Sequence, residues 1–220
     1  MPVVAYIVVV LIAYLLGSIP TGFLVAKARG VDIRTVGSGN IGATNVFRIL
    51  GKTAGVFVLL ADAAKGWLAV FLVAKWVAGW FYPTASPLAY EWFRLCAGIA
   101  AILGHNYTCW LYFKGGKGIA TSAGVLVALV PWPLVIILSI WIVVFALSRY
   151  VSLASISASF ALPFAAWLVG ESTAITLVTV ALAVLAIYKH KANIQRLIKG
   201  TESRIGVKKP LTSDAPNPTA

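Results

Sequence analysis

The sequence predicts an all-α integral membrane protein with seven transmembrane helices, its N-terminus outside and its C-terminus in the cytoplasm. Three observations lead there. Hydrophobic residues make up 60% of the 220 residues and charged residues only 11%, far from ordinary globular usage. Apolar runs approaching the ~20 residues of a membrane crossing recur along the chain. The cations lie between those runs and separate by side. Lys27, Arg29, Arg34, Arg48 and Lys52, then Lys114 and Lys117, then Arg149, then the basic tail from Lys189 to Lys209 fall on one side. Lys75 and Arg94, with Glu91 and Glu171, fall on the other. Short cytoplasmic loops accumulate Lys and Arg, so the cationic side is cytoplasmic and an odd number of spans satisfies the pattern. The net charge of +12 then speaks for lipid headgroups and phosphorylated substrates. Nucleic acid would need cations on a soluble face.

Val3 to Ala28 is the first span, interrupted near its far end by Gly17-Ser18-Ile19-Pro20-Thr21-Gly22. Its start lacks a cationic region and no cleavage pattern follows, which reads as a retained span and not a signal peptide. The second span, about Ala54 to Val77, carries Asp62 and Lys65 three residues apart, on one helix face as a neutralised pair. The third covers roughly Leu88 to Leu103. Ile119 to Leu147 is too long for one crossing, and Pro131-Trp132-Pro133 divides it into two short helices joined by a tight turn. Ser152 to Val169 and Thr173 to Tyr188 complete the set. The membrane domain is residues 1–206; the Pro- and Thr-rich remainder, 207–220, reads as a disordered tail.

Four polar stretches share the cytoplasmic side. Gly37-Ser38-Gly39-Asn40-Ile41-Gly42-Ala43-Thr44-Asn45, with Arg34 before and Arg48 after, combines a backbone free to turn tightly with short hydrogen-bonding groups and guanidinium charge. That is the chemistry of oxyanion recognition. A helix beginning within Asn40 to Leu50 would add free amides. Gly104-His105-Asn106-Tyr107 leads to Lys114-Gly115-Gly116-Lys117-Gly118, an ammonium on a glycine turn at a helix start. It is not a nucleotide P-loop: Leu111 and Gly118 stand where that pattern needs Gly and Ser or Thr. Ser152 and Ser155 follow Arg149 and admit two readings, helix caps or ligand contacts. Finally Tyr188 to Arg196 continues the last span as a basic amphipathic helix, with His190 and Asn193 on one face and Lys189, Lys191 and Arg196 available to lipid headgroups. Cys96 and Cys109 read as inert thiols, and His105 and His190 lack the carboxylates or thiolates of a metal site.

These stretches together resemble the bacterial membrane acyltransferases that move an acyl group from acyl phosphate to glycerol 3-phosphate. The resemblance covers nearly the whole chain. It implies transfer to the primary hydroxyl of glycerol 3-phosphate, giving 1-acyl-glycerol 3-phosphate (lysophosphatidic acid) and phosphate, in phospholipid biosynthesis. It further implies a bacterial plasma-membrane location with the active site facing the cytoplasm, membrane lipids as surroundings, and no cofactor, metal, nucleic acid or obligate protein partner. By the same resemblance Ala43, Thr44 and Ser155 hold the acyl phosphate head, while Ser38, Arg48, Lys117, His190 and Asn193 bind glycerol 3-phosphate and aim its hydroxyl. Gly37, Asn40 and Asn45 belong to the same substrate loop. The general base is either His190 or the acceptor's own phosphate; the latter is preferred because no carboxylate partner for His190 is evident. Two other classes share parts of this chemistry. A transporter of an organic phosphate would place its site near the midplane, and a lipid phosphatase would need an activated water and a stronger His or Asp set.

Overall fold

Pro20 lacks a backbone donor and disfavours helix in the residue before it, so the first apolar segment forms as two helices, α1 (Pro2–Ser18) and α2 (Thr21–Lys27). The computed structural model describes residues 2–206, and among them every regular element is helical. The tail reading at 207–220 lies outside the described residues. A short α3 (Ala43–Leu50) precedes α4 (Lys52–Leu68), which passes through a π-helical turn, Ala69–Val73, into α5 (Ala74–Phe81). Then come α6 (Pro87–Asn106), α7 (Ile119–Leu129), α8 (Pro131–Ser148), α9 (Val151–Leu168), α10 (Thr173–Lys189) and α11 (Lys191–Ile198). The division of the long apolar run falls where the sequence places it. Pro131 opens α8, a position where its missing N–H has no helical partner to lose.

Four stretches are long and apolar enough to cross a bilayer: Val3–Lys27, Lys52–Phe81, Pro131–Ser148 and Val151–Leu168. The α10–α11 pair, bent by 57°, makes a fifth if taken as one. The 20-residue α6 lies along α1, whereas the 11-residue α7 rises about 16 Å, half of the ~30 Å hydrocarbon layer.

Lipid gives helices no hydrophobic reason to associate, so close backbone approach through small residues carries the packing. Along α1 and α6, Ala5, Val9 and Ala13 meet Phe93, Ala97 and Ala101, and Tyr6 stacks on Phe93 with centroids 4.1 Å apart. Gly17 and Gly104 lie directly on the backbone of the facing helix. The α4–α7 contact repeats the device, with Gly66 against the Thr121 carbonyl and Gly124 against the Ala63 carbonyl. A second core joins α8, α9 and α10 through Ile137, Leu162 and Ile175. Inside the first bundle Asp62 and Lys65 form the expected pair at 2.9 Å, both buried. Lys65 also donates to the Ile19 carbonyl at the α1–α2 break, at 2.8 Å.

Gly124→Val is expected to force α4 and α7 apart, costing about 1–3 kcal/mol and lowering the unfolding midpoint in detergent. Gly79→Ala, where an added Cβ meets nothing within 4 Å, is expected to leave that midpoint unchanged.

Candidate active site

The Gly37–Asn45 loop is shaped by Asn45 in the first turn of α3, which is 1% exposed. Its Oδ1 accepts the Ser38 N–H at 2.9 Å, and its Nδ2 donates to the carbonyls of Ile33 and Val36 at 3.2 and 3.1 Å. The amide is thus fully engaged within the chain and holds the cradle's shape. Gly37, at φ +61, crosses directly over that amide where a Cβ has no room. Asn40 accepts the Gly42 N–H at 2.8 Å, turning the chain into α3. Ser38 is left exposed beside the amides of Ala43 and Thr44, which open α3 and have no intrahelical acceptor. Arg34 departs from the sequence reading: it forms a two-point pair with Asp32 at 2.9 and 2.7 Å and stands over the Phe23 ring. Asp32 is consequently held near pKa 2 by that guanidinium.

A second group closes around Glu202, 8% exposed, a residue the sequence reading passed over. Its Oε1 accepts from Ser152 Oγ at 2.9 Å and Asn193 Nδ2 at 2.7 Å, and its Oε2 accepts from Arg196 Nε at 2.6 Å. The Asn193 Oδ1 in turn accepts from Lys117 Nζ. Arg48 donates to the Ser203 carbonyl at 3.1 Å. Elements far apart in sequence, α3, the Lys114–Gly118 loop, α9 and α11, therefore attach at or beside one carboxylate. Its signal in the sequence was being the single acid between Lys189 and Lys209. Burial opposes ionisation of Glu202, but the bonds from Arg196, Asn193 and Ser152 outweigh it and keep the pKa below the ordinary carboxylate value. Burial also brings the Lys117 ammonium down to about 8; Glu202 pulls the other way, and Arg196, Arg48 and Lys189 add to the fall.

His190 stands between α10 and α11, beyond the end of the spanning helix, and is 3% exposed. Its Nδ1 lies 2.7 Å from the Ala186 carbonyl, which can only accept, so Nδ1 carries the proton and Nε2 the lone pair. Burial and then the Lys117 charge hold its pKa down to about 4, against the opposing pull of Ala186 and Glu202. The ring is neutral at physiological pH. Lys189 and Arg196, read from sequence as headgroup ligands, both turn inward: Lys189 donates to the Asn106 carbonyl at 3.0 Å and Arg196 pairs with Glu202 at 2.6 Å.

Neither Ser152 nor Ser155 caps α9, whose N-cap is Tyr150. Ser155 lies one turn beyond Ser152 on the same face and accepts from Trp141 Nε1 at 3.1 Å. Trp141, Ile142, Phe145, Ala146, Arg149 and Ile205 line a mainly apolar groove of about 430 Å³. Ser155 thus adjoins the polar cluster on one side and this groove on the other.

Long apolar helices that carry a polar end rich in inward-turned cations define a multi-pass membrane protein. The chain belongs to the glycerol-3-phosphate acyltransferase family, whose profile matches residues 7–200, and it is an acyltransferase. It is 46% identical over 202 residues to the glycerol-3-phosphate acyltransferase of Endomicrobium trichonymphae, covering 91% of this chain and 96% of that one. With the enzyme of the same name from Desulforudis audaxviator it shares 46% over 210 residues, 95% of this chain and 100% of the relative. Two crystal structures of PlsY (YgiH), an integral membrane glycerol 3-phosphate acyltransferase, are also similar. The glycerol 3-phosphate form is 40% identical with a TM-score of 0.80, covering 91% of this chain and 96% of that one. The lysophosphatidic acid form is 39% identical with a TM-score of 0.79, covering 91% and 95%.

Glu202→Ala removes an acceptor from Ser152, Asn193 and Arg196 at once. It is expected to cost about 2 kcal/mol of stability, below the range for a fully buried pair because Arg196 is partly solvated. Thermal unfolding in detergent measures the loss, with Glu202→Gln expected to fall between it and the parent.

Proposed function

We propose that this chain transfers an acyl group from acyl phosphate to the primary hydroxyl of glycerol 3-phosphate at the cytoplasmic face of the bacterial plasma membrane. The observation that carries it is the convergence of Arg48, Lys117 and Asn193 around the buried Glu202, with His190 close enough to feel the charges of Lys117 and Glu202 and Ser155 bonded to Trp141 of the apolar groove. An acyl phosphate is a mixed anhydride with an already activated carbonyl. The acceptor oxygen forms the new ester bond, the carbonyl–phosphate bond breaks, and phosphate leaves. Two phosphates must therefore be held side by side, which accounts for two glycine-rich cradles at one end. In this reading Ala43, Thr44 and Ser155 hold the acyl phosphate head; Ser38, Arg48, Lys117, His190 and Asn193 hold the acceptor. Gly37, Asn40 and Asn45 shape the loop between them.

The hydroxyl proton goes to a phosphate oxygen of the acceptor, whose second pKa lies near 6, as in a phosphorylated serine. A histidine held near 4 is a weak base at neutral pH but a good fixed acceptor, so Nε2 of His190 orients the hydroxyl. This reading keeps seven membrane segments, α1–α2, α4–α5, α6, the short α7, α8, α9 and α10, within a membrane domain of residues 1–206. The charge asymmetry between the two ends supports an outside N-terminus and a cytoplasmic site.

Purified protein given acyl phosphate and labelled glycerol 3-phosphate, without acyl-CoA, is expected to yield labelled lysophosphatidic acid; absence of that product overturns the reading. Arg48→Ala and Lys117→Ala are expected to raise the acceptor KM by about tenfold or more, the scale of a charge-assisted bond. Lys27→Ala, on an exposed face, is expected to change it little, and equal losses in all three would defeat the site assignment. The Lys117 charge is present below pH 8 and lost above it, since its pKa is depressed to about 8. Acceptor kcat/KM is therefore expected to decline as pH rises through 8, and Lys117→Arg, charged to above pH ~12, should hold its value further up.

A further inference from the structure

Beneath the Lys114–Gly118 loop lies a buried polar group that the reaction above leaves unused. Asp62 and Lys65 on α4, His105 and Asn106 at the end of α6, and Thr121 on α7 are each no more than 5% exposed. Asp62 Oδ1 faces Lys65 on one side at 2.9 Å and His105 Nδ1 on the other at 3.7 Å. His105 Nδ1 has no hydrogen-bond partner among the described residues. The opposite edge of the ring, Nε2, lies where a Cβ on Gly116 would stand. The loop is also tied to the same two residues through the backbone. Gly116 N–H donates to the His105 carbonyl at 3.0 Å and Gly115 N–H to the Asn106 carbonyl at 3.2 Å. Gly118, at φ +78, rests on the Asn106 side chain. Lys117 projects from between two glycines pressed flat on the end of α6.

A buried ionisable ring is a costly filler where Leu or Phe would serve, and this one lies between Asp62 and Gly116. We propose that His105 is a positioning residue for acceptor binding: its buried ring seats Gly116, whose N–H is tied to the His105 carbonyl, and the seat fixes where Lys117 meets Asn193. The proposal rests on the reading that Lys117 holds the acceptor's phosphate. His105 itself touches no substrate.

The test is steric complementation in the full-length protein, with initial rates measured against each substrate separately. Gly116→Ala drives a methyl into the ring and His105→Ala removes the seat; each is expected to raise the KM for glycerol 3-phosphate about tenfold, since displacements near 1 Å cost up to about 10²-fold. The kcat and the acyl phosphate KM are expected to stay near parental values. In the double variant the methyl occupies space the ring has left, so its acceptor KM is expected to be no worse than that of either single variant. Gly115→Ala, whose methyl meets backbone carbonyls, is expected to gain nothing from His105→Ala. Should His105→Ala not fold, His105→Asn carries the same comparison. Multiplicative defects in the double variant, or a kcat and acyl phosphate KM that move as far as the acceptor KM, would overturn the positioning role. A parental protein without glycerol 3-phosphate-dependent product would instead overturn the functional reading beneath it.

Discussion

The polar end of this protein depends on one carboxylate. Arg48, Lys117 and Arg196 converge from three elements, and left alone their like charges would repel in a setting where water screens them poorly. Glu202 offsets that repulsion and orients what surrounds it. By accepting the Asn193 Nδ2 it turns the Asn193 Oδ1 toward Lys117, which engages one ammonium donor and leaves two for a ligand. Ser152 and Arg196 take two more of its acceptor sites, so three of about four are engaged within the protein. Buried ion pairs add little net stability; what this one supplies is geometry, and it leaves the group of Arg48, Lys117 and Arg196 with a positive balance.

Much of the architecture was legible in the sequence because hydropathy and proline act locally. Pro20 and Pro131 break the apolar runs in which they fall, although Pro163 is carried inside α9, and the segment ends followed from the two breaks within a few residues. Side-chain direction was not legible. Asn45 has the same composition whether its amide faces a ligand or its own loop, and only the fold shows it engaged with Ser38, Ile33 and Val36. Arg34 looked like an anion ligand until its carboxylate neighbour two residues away closed on it. Lys189 and Arg196 satisfy a cytoplasmic charge bias equally well facing outward or inward, because that bias constrains a side of the membrane and not a rotation about a helix. Glu202 was hidden for another reason: the partners that give it meaning, Ser152 and the Arg48 beside it, are distant in sequence and meet only when the bundle forms.

Both glycine-rich loops are fixed from below at a helix end, the first by the Asn45 side chain as α3 opens and the second by the backbone carbonyls of His105 and Asn106 as α6 closes. The fixing bonds form within the protein alone, so the donors are aimed before any substrate arrives and little reorganisation remains for the transition state. The arrangement also answers a difficulty peculiar to the membrane surface, where anionic headgroups compete with any phosphorylated substrate for cations. Lys27, Arg29, Lys52 and Lys191 are exposed, whereas Arg48 and Lys117 are half-buried and tied to Ser203 and Asn193. A headgroup on a lipid anchored in the bilayer plane reaches the outer ring of charge easily. Under the proposed site assignment a small phosphate free to leave that plane reaches the inner one, so recession would select the acceptor before any specific contact to its glycerol is made.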